Sequence, residues 1–373
     1  RDRCHHRRGL ADTRAEVNTE PESFGVYLHI PFCSSKCDYC AFATWTDRHH
    51  LTDTYLASVR VEIERAQIAG MPPATSVFVG GGTPSLVPAA DLAVVINAVP
   101  VVDGAEITVE CNPDDVDEAL LAEYAAAGVN RVSLGVQSMN EQVLGRLGRR
   151  HRRANVARAV GAIRAVGIPT FNLDLIYGSA GESDEDWRST VEDVLELEPP
   201  HISAYALTIE PGTPLAERPS DHPDDDVQAD RYEIVDDLLS GSGLANYEIS
   251  NWALPGHECR HNALYWSQGD YLGFGCAAHS HRSGRRWWNV RTPDRYIDLV
   301  TSGASTEAAG EDLDEATRRF EALELSLRTR DGVPIESLDG DALPGIVERD
   351  GDRWVLTRRG RLMANEVSTH LIV

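Results

Sequence analysis

The 373-residue sequence is short of the residues that mark several protein classes. Seven cysteines, at positions 4, 33, 37, 40, 111, 259 and 276, are too few and too unevenly spread for a secreted disulfide scaffold. No run reaches the roughly 18–20 apolar residues that a membrane helix needs. The longest candidate, Leu92 to Val102, is broken by Asn97 and Pro100. Basic residues are scarce: 35 Lys and Arg face 59 Asp and Glu, and the net charge of −24 repels phosphate backbones, so no nucleic-acid partner is expected. The basic start, Arg1 to Arg8, leads into no apolar signal-peptide core, which makes the cytoplasm the expected compartment. Residues 1–23 are expected to be poorly ordered.

What is present is an alternation of short β-rich apolar runs with helical patterns, the mark of βα units around a parallel sheet. Strands are expected at Gly25–Ile30, Ser76–Val79, Glu106–Glu110, Arg131–Val136, Thr170–Tyr177 and His201–Thr208. Helices are expected at Thr52–Ile68, Ala89–Ala98, Val116–Ala127, Asn155–Val166, Asp184–Leu197 and Asp226–Leu239. Six units fall short of the eight that close a full barrel, so the fold class is α/β, a partial (β/α)6 barrel spanning 24–240. A doubly wound sheet has the same periodicity. Aromatics then crowd through 241–300, Thr301–Gly310 reads as a linker, and 301–373 reads as an accessory α+β domain of winged-helix-like type. Its expected parts are a helix at Glu315–Leu327, a hairpin at Asp350-Gly351 and a helix over Arg359–His370.

Three of the seven cysteines fall in Cys33-Ser-Ser-Lys-Cys37-Asp-Tyr-Cys40, just past the first strand. Soft thiolates on one short loop suit an iron-sulfur cluster, and three ligands leave the fourth iron of a 4Fe-4S cube open. Zinc usually takes four protein ligands in paired spacings, and no second pair lies at a fitting distance. Polar residues recur at the ends of the later strands, where barrel chemistry sits: Gly80-Gly-Gly-Thr-Pro84, Glu110, Gln137 and Asp174. The glycines allow close backbone approach, or they form a plain turn. They lack the Lys-Ser/Thr of a phosphate loop.

The stretch from Tyr27-Leu-His-Ile-Pro-Phe-Cys33 to Cys40 resembles the radical S-adenosylmethionine (SAM) superfamily. Its wording is similar to the branch that holds oxygen-independent coproporphyrinogen III dehydrogenases and haem chaperones, and the likeness runs from about Phe24 to the C-terminus. The resemblance implies a 4Fe-4S cluster on Cys33, Cys37 and Cys40, with SAM cleaved to a 5′-deoxyadenosyl radical in the enzymes. It further implies that Gly81, Gly82 and Thr83 contact the methionine moiety of SAM, and that Glu110 and Gln137 bind its polar groups. Arg149 would bind its carboxylate, although the run Arg146 to Arg153 also reads as a solvated face. Asp174 would hold the ribose hydroxyls, with Tyr27 and Tyr39 against the sulfonium and adenine. Ser179-Ala-Gly-Glu182 departs from the Leu-Pro-Gly-Gln usual in relatives.

Two positions bear on the branch. The dehydrogenases carry a further Cys two residues past the last cluster cysteine, where this chain has Phe42, and they have a longer N-terminal extension than the 24 residues before Gly25. The stretch His261-Asn-Ala-Leu-Tyr-Trp266 matches a motif associated with haem binding in the chaperones, which implies haem as cargo near His261. Physically, an imidazole can ligate haem iron while Tyr265 and Trp266 offer flat apolar contact. A hydrogen-bonded core histidine, or a local metal site with His257 and Cys259, fits the same residues. His279 is a further candidate ligand or a structural residue of a Gly-rich turn. Cys111, Cys259 and Cys276 read as buried small residues. The expected function is delivery of haem to client haem proteins, membrane respiratory enzymes among them, with peripheral membrane contact through the client; a homodimer is compatible. The alternative is the dehydrogenase. A radical-SAM RNA modifier shares the cysteine loop but is disfavoured by the charge of −24.

Overall fold

The computed structural model describes residues 23–372, so Cys4, the basic start and the expected poor order before residue 23 lie outside the described residues. The first six strands are β1 (Phe24–Ile30), β2 (Ala74–Gly81), β3 (Val101–Cys111), β4 (Arg131–Gln137), β5 (Thr170–Tyr177) and β6 (His201–Ala206). They are largely buried, apart from the start of β3 and the end of β6, as a parallel sheet covered by helices requires. Between and after them run α1 (Thr52–Ile68), α2 (Ala89–Ile96), α3 (Glu118–Ala126), α4 (Glu141–Arg146), α5 (Arg153–Val166), α6 (Asp184–Leu195) and α7 (Asp225–Gly241). The six strands pair in parallel in sequence order.

The period of two along each strand sorts the side chains. Val26, Leu28 and Ile30, Val77 and Val79, Val132, Leu134 and Val136, and Leu173 and Leu175 join the apolar core that also takes Tyr55, Leu56 and Val59 of α1 and Val156, Val160 and Ile163 of α5. The intervening residues, among them Tyr27, His29, Glu110, Ser133, Asn172 and Asp174, belong to the opposite face and line the barrel interior. Caps confirm where helices begin. Ser183 Oγ accepts from the Asp186 N–H at 3.1 Å while Asp186 accepts from the Ser183 N–H at 2.9 Å, a reciprocal capping box for α6.

The sheet continues past residue 240. β7 (Ala245–Glu248) and β8 (Asn251–Ala253) extend it beyond β6, while β9 (Asp270–Phe274) pairs in parallel with the other edge, against β1. β10 (His279–Arg282), β11 (Arg285–Asn289) and β12 (Glu307–Asp312) follow antiparallel, giving one open sheet of twelve strands. Between these strands, α8 (Arg260–Trp266) packs against β1 and β2, and α9 (Pro293–Ser302) packs on α1. The stretch 301–310 is therefore no linker: it ends α9 and begins β12. β12 pairs through its backbone with β11 while all six of its residues are exposed, so it lacks the apolar alternation that announces a strand.

The C-terminal part contains α10 (Glu315–Leu327), β13 (Val333–Pro334), β14 (Val347–Asp350), β15 (Arg353–Leu356), α11 (Arg358–Leu362) and α12 (Ala364–Ser368). Leu327, Val333, Leu338, Val347 and Val367 form its own small core. The Asp350-Gly351 hairpin is present, with Gly351 at φ 58°. The single helix expected over Arg359–His370 is instead two, separated at Met363. The first is anchored to α7, where Arg358 and Arg361 reach Asp236 at 2.7 and 3.0 Å. Among the described residues no helix is long and apolar enough to cross a membrane.

Candidate functional site

The cysteine loop is fixed largely through its backbone. Gly82 N–H donates to the Ile30 carbonyl at 2.7 Å and Thr83 N–H to the Phe32 carbonyl at 2.8 Å, so the end of β2 crosses the entry of the loop in direct contact. A Cβ on Gly82 would lie 2.6 Å from the Phe32 oxygen and 2.8 Å from the Ile30 oxygen. Gly81, at φ 114°, would drive a Cβ to 2.5 Å from the His29 ring. The glycines are thus required by the protein's own packing, whatever they touch besides. Further along, Trp45 N–H donates to Pro31, Cys33 N–H donates to Trp45, and Asp38 pairs with Arg218 at 2.7 Å.

His29 ties the far end of the loop. Its Nε2 lies 3.0 Å from the Ala43 carbonyl, which can only accept, so Nε2 carries the proton and Nδ1 accepts from the Tyr27 hydroxyl at 2.9 Å. Burial lowers the His29 pKa to about 4, which keeps this neutral tautomer.

Above the loop opens a cavity of about 580 Å3, within the roughly 300–1,000 Å3 usual for a small-molecule or cofactor site. Cys33, Cys37, Cys40 and Tyr39 line one side; Gly81, Gly82, Thr83, Glu110, Gln137, Arg149 and Asp174 line the rest. Thr83 Oγ1 is 3.6 Å from the Cys33 sulfur and Arg149 Nη1 is 3.8 Å from the Cys37 sulfur. Arg149 is no member of a solvated face. Its Nη2 donates to the Gly135 carbonyl at 2.8 Å, which holds the guanidinium inside. Glu110 accepts the Gly81 N–H at 3.0 Å through Oε2; burial first, then the neighbouring Asp174, pushes its pKa up to about 7. Asp174 is oriented at both oxygens, by Ser133 at 2.8 Å and Asn172 at 2.7 Å, and burial raises its pKa too. Gln137 closes β4 in the left-handed region at φ 64°.

Among the described residues no three His, Cys, Asp or Glu side chains close on a point the size of one metal ion. Three loop thiols at a cavity wall, held apart, with an arginine beside one sulfur, fit a polynuclear thiolate-ligated cluster better than a single zinc.

Two of the expected residues are elsewhere. Tyr27 is inside the barrel, bonded to His29 and stacked near Phe78, and does not line the cavity. His261 is at the opposite end of the strands and has no exposed surface. Its Nδ1 is 2.9 Å from Ser76 Oγ and its Nε2 2.8 Å from the Tyr265 hydroxyl, so both ring nitrogens are engaged. The backbone N–H groups of Arg260 and His261 donate to Glu106, both at 3.1 Å, and α8 thereby plugs the floor of the barrel. In this arrangement His261 offers no nitrogen to haem iron. Nor does it join His257, whose ring bonds Thr170 at 2.8 Å. Cys111, Cys259 and Cys276 are buried; Cys111 reaches the cavity wall with its sulfur turned to the Val109 carbonyl.

Sequence reasoning missed Ser133, Asn172, Ser203 and Tyr205, polar residues on the interior face of β4, β5 and β6. The alternation Ser133-Leu-Gly135, Asn172-Leu-Asp174 and Ser203-Ala-Tyr205 carries the signal, since a strand buried on both faces has no reason to place a polar group at every second position. Glu182 is explained by Arg231 of α7, whose Nη1 lies 3.0 Å from its carboxylate, both side chains buried. The change from the usual Gln is thus matched by a cation across the turn.

Known proteins are similar to the chain at several levels. The family model described as the Radical SAM superfamily matches residues 27–194. The chain is 41% identical over 372 residues to the protein named Heme chaperone HemW of Mycobacterium tuberculosis strain H37Rv, covering 94% of this chain and 95% of the relative. It is 35% identical over 364 residues to the protein of the same name from Escherichia coli K12, with 92% and 96% covered. The corresponding Bacillus subtilis protein is 32% identical over 367 residues, with 91% and 97% covered. Among solved structures, coproporphyrinogen III oxidase (HemN) of Escherichia coli, a radical SAM enzyme, superposes with a TM-score of 0.81 over 93% of this chain and 89% of that one. Its identity is 23%, a likeness of fold.

Proposed function

The chain belongs to the radical SAM superfamily and, within it, to the family of the Heme chaperone HemW proteins, and from this premise we propose that it binds a 4Fe-4S cluster and SAM in the barrel mouth and carries haem to client proteins. Membrane respiratory enzymes are the proposed clients. The observation that carries the chaperone reading over the dehydrogenase is Phe42. Where a further thiol is expected of the enzymes, this chain has an aromatic ring at the cavity rim, 67% exposed. An exposed ring there suits a flat apolar cargo and supplies no sulfur.

Cys33, Cys37 and Cys40 would hold the cluster. When bound, such a cluster supplies a Lewis-acid position at its open iron and one-electron reducing power. The chain's own residues supply the rest. Arg149 balances negative charge beside Cys37 and turns a guanidinium toward a carboxylate. Glu110, with Oε2 on the Gly81 N–H, keeps Oε1 for an ammonium group. Asp174, fixed at both oxygens, accepts from hydroxyls without reorienting.

The test is anaerobic cluster reconstitution followed by haem titration and coproporphyrinogen turnover in parallel. Saturable haem binding without turnover is expected. Protoporphyrinogen formation without haem binding would overturn the chaperone reading in favour of the dehydrogenase.

A further inference from the structure

The stretch Cys37 to Cys40 is a tight turn whose corner is gripped from outside the cysteine loop. The Cys40 N–H donates to the Cys37 carbonyl at 3.2 Å, so Asp38 and Tyr39 are the central residues of a β-turn whose two ends carry thiols. Whatever sets the orientation of that turn sets both thiols and the Tyr39 ring together.

Asp38 is held from two sides. On one, its N–H points to the Leu147 carbonyl at 3.4 Å, and Gly148, at φ 75°, comes so near that an added Cβ would lie 3.2 Å from the Asp38 nitrogen. On the other stands the segment between β6 and α7, residues 207–224. Its Leu215 N–H donates to the Asp38 carbonyl at 3.0 Å, and Arg218 Nη2 donates to Asp38 Oδ2 at 2.7 Å. The segment is braced in turn: the Arg218 N–H donates to the Leu215 carbonyl at 3.0 Å, and Asp221 Oδ2 lies 3.3 Å from Arg218 Nε, so the guanidinium meets a carboxylate at each of two nitrogens. Leu207 and Leu215 are buried with Val143, Leu147 and Ile176, and Tyr39 packs against that cluster. Leu207, Thr208 and Glu210 of the same segment line the cavity, as Tyr39 does.

We propose that Arg218 is a positioning residue for SAM: through Asp38 it locks the Cys37–Cys40 turn and so fixes the Tyr39 ring at the cavity wall. The assignment rests on the cluster and SAM binding proposed above. Arg218 is not among the residues lining the cavity, so it acts through the turn and not by touching the ligand. A ring held in place before the ligand arrives leaves less to be ordered on binding, which is gained as affinity. An ion pair as open to water as this one, its side chains 41% and 31% exposed, adds little to stability, and that separates positioning from a merely structural role.

The experiment compares the full chain of the parent with Arg218→Met, Asp38→Ala and the double variant. In the metal-free chains, deuterium uptake by the peptide over residues 33–40 reads the turn, whose bonded amides include those of Asp38 and Cys40, and urea unfolding reads stability. After anaerobic cluster reconstitution, calorimetry reads SAM affinity. Each single variant is expected to exchange faster over that peptide, to keep the parent's unfolding midpoint, and to bind SAM about fivefold more weakly or worse, with the double variant no weaker than the weaker single. SAM carries net positive charge, so a purely electrostatic effect would instead move the two single variants in opposite directions. Parent-like exchange or SAM affinity in Arg218→Met, an unfolding midpoint that falls with the affinity, opposite shifts in the two singles, or losses that add in the double variant overturn the assignment and leave the proposed function standing. A reconstituted parent that binds no SAM overturns both.

Discussion

Replacing Gly82 by alanine tests how the cluster loop is held. The new Cβ would sit 2.6 Å from the Phe32 oxygen, 2.8 Å from the Ile30 oxygen and 3.0 Å from the Phe32 nitrogen. All three are backbone atoms, so no side chain can swing away. Either the loop is compressed, at about 1–3 kcal/mol for overpacking, or the two strand ends part. Parting loses the hydrogen bonds Gly82 to Ile30 and Thr83 to Phe32, each worth about 1 kcal/mol. Either route costs about 1–3 kcal/mol, and parting displaces Thr83 from the Cys33 sulfur. Gly161 is the control. It is exposed in the middle of α5 with no atom within 4 Å of the added Cβ, so Gly161→Ala should stabilise by about 0.5–1 kcal/mol. Urea unfolding of the metal-free chain reads both changes, and calorimetry on the reconstituted protein should show Gly82→Ala binding SAM at least tenfold more weakly. The same chemical change thus has opposite signs at two sites. An unfolding midpoint for Gly82→Ala at or above the parent's would refute the account of a backbone crossing with no spare room.

Above pH 6.5, where the buried histidines are neutral in both states, the stability of the metal-free chain should fall with rising pH. Burial lifts Glu182 and Glu248 from the ordinary 4.5 to about 7, so the folded state binds their protons more tightly than the unfolded state. Their contribution is complete below pH 4.5 and lost as pH rises through 7, up to about 3 kcal/mol for each, and denaturation at pH 6.5 and 8.5 measures the loss; equal stability at the two pH values contradicts it. Arg231→Met strands the Glu182 carboxylate and should cost about 3–5 kcal/mol at pH 8 but much less at pH 6, where Glu182 is protonated; an equal loss at both pH values would show that packing, not charge, is what Arg231 provides. Arg149→Met should weaken SAM binding by about tenfold or more in calorimetry, since a charge-assisted hydrogen bond is worth roughly 1.5–3 kcal/mol, and unchanged affinity would remove Arg149 from the site.

Much of this protein is local in sequence and could be read there. The six βα units follow from alternation with period two in strands and amphipathic runs in helices, and α1, β5 and α10 occupy the residues expected of them. The cysteine spacing is equally local, since three thiols within eight residues of chain must share one loop. Non-local contacts escaped. His261 finds Ser76 across 185 residues of chain, and only the folded barrel shows that the stretch read as a haem motif plugs its floor. β12 is a strand because β11 offers it an edge, not because its residues prefer one. Glycines 81 and 82 looked poised for a ligand, yet the His29 ring beside Gly81 and the backbone of Ile30 and Phe32 beside Gly82 already demand them. The unit count, the thiol loop and the polar residues at the strand ends were legible in the sequence, because spacing and periodicity act over a few residues. Tertiary structure alone decided that His261 is sealed, because exposure and hydrogen bonding depend on what distant segments bring alongside.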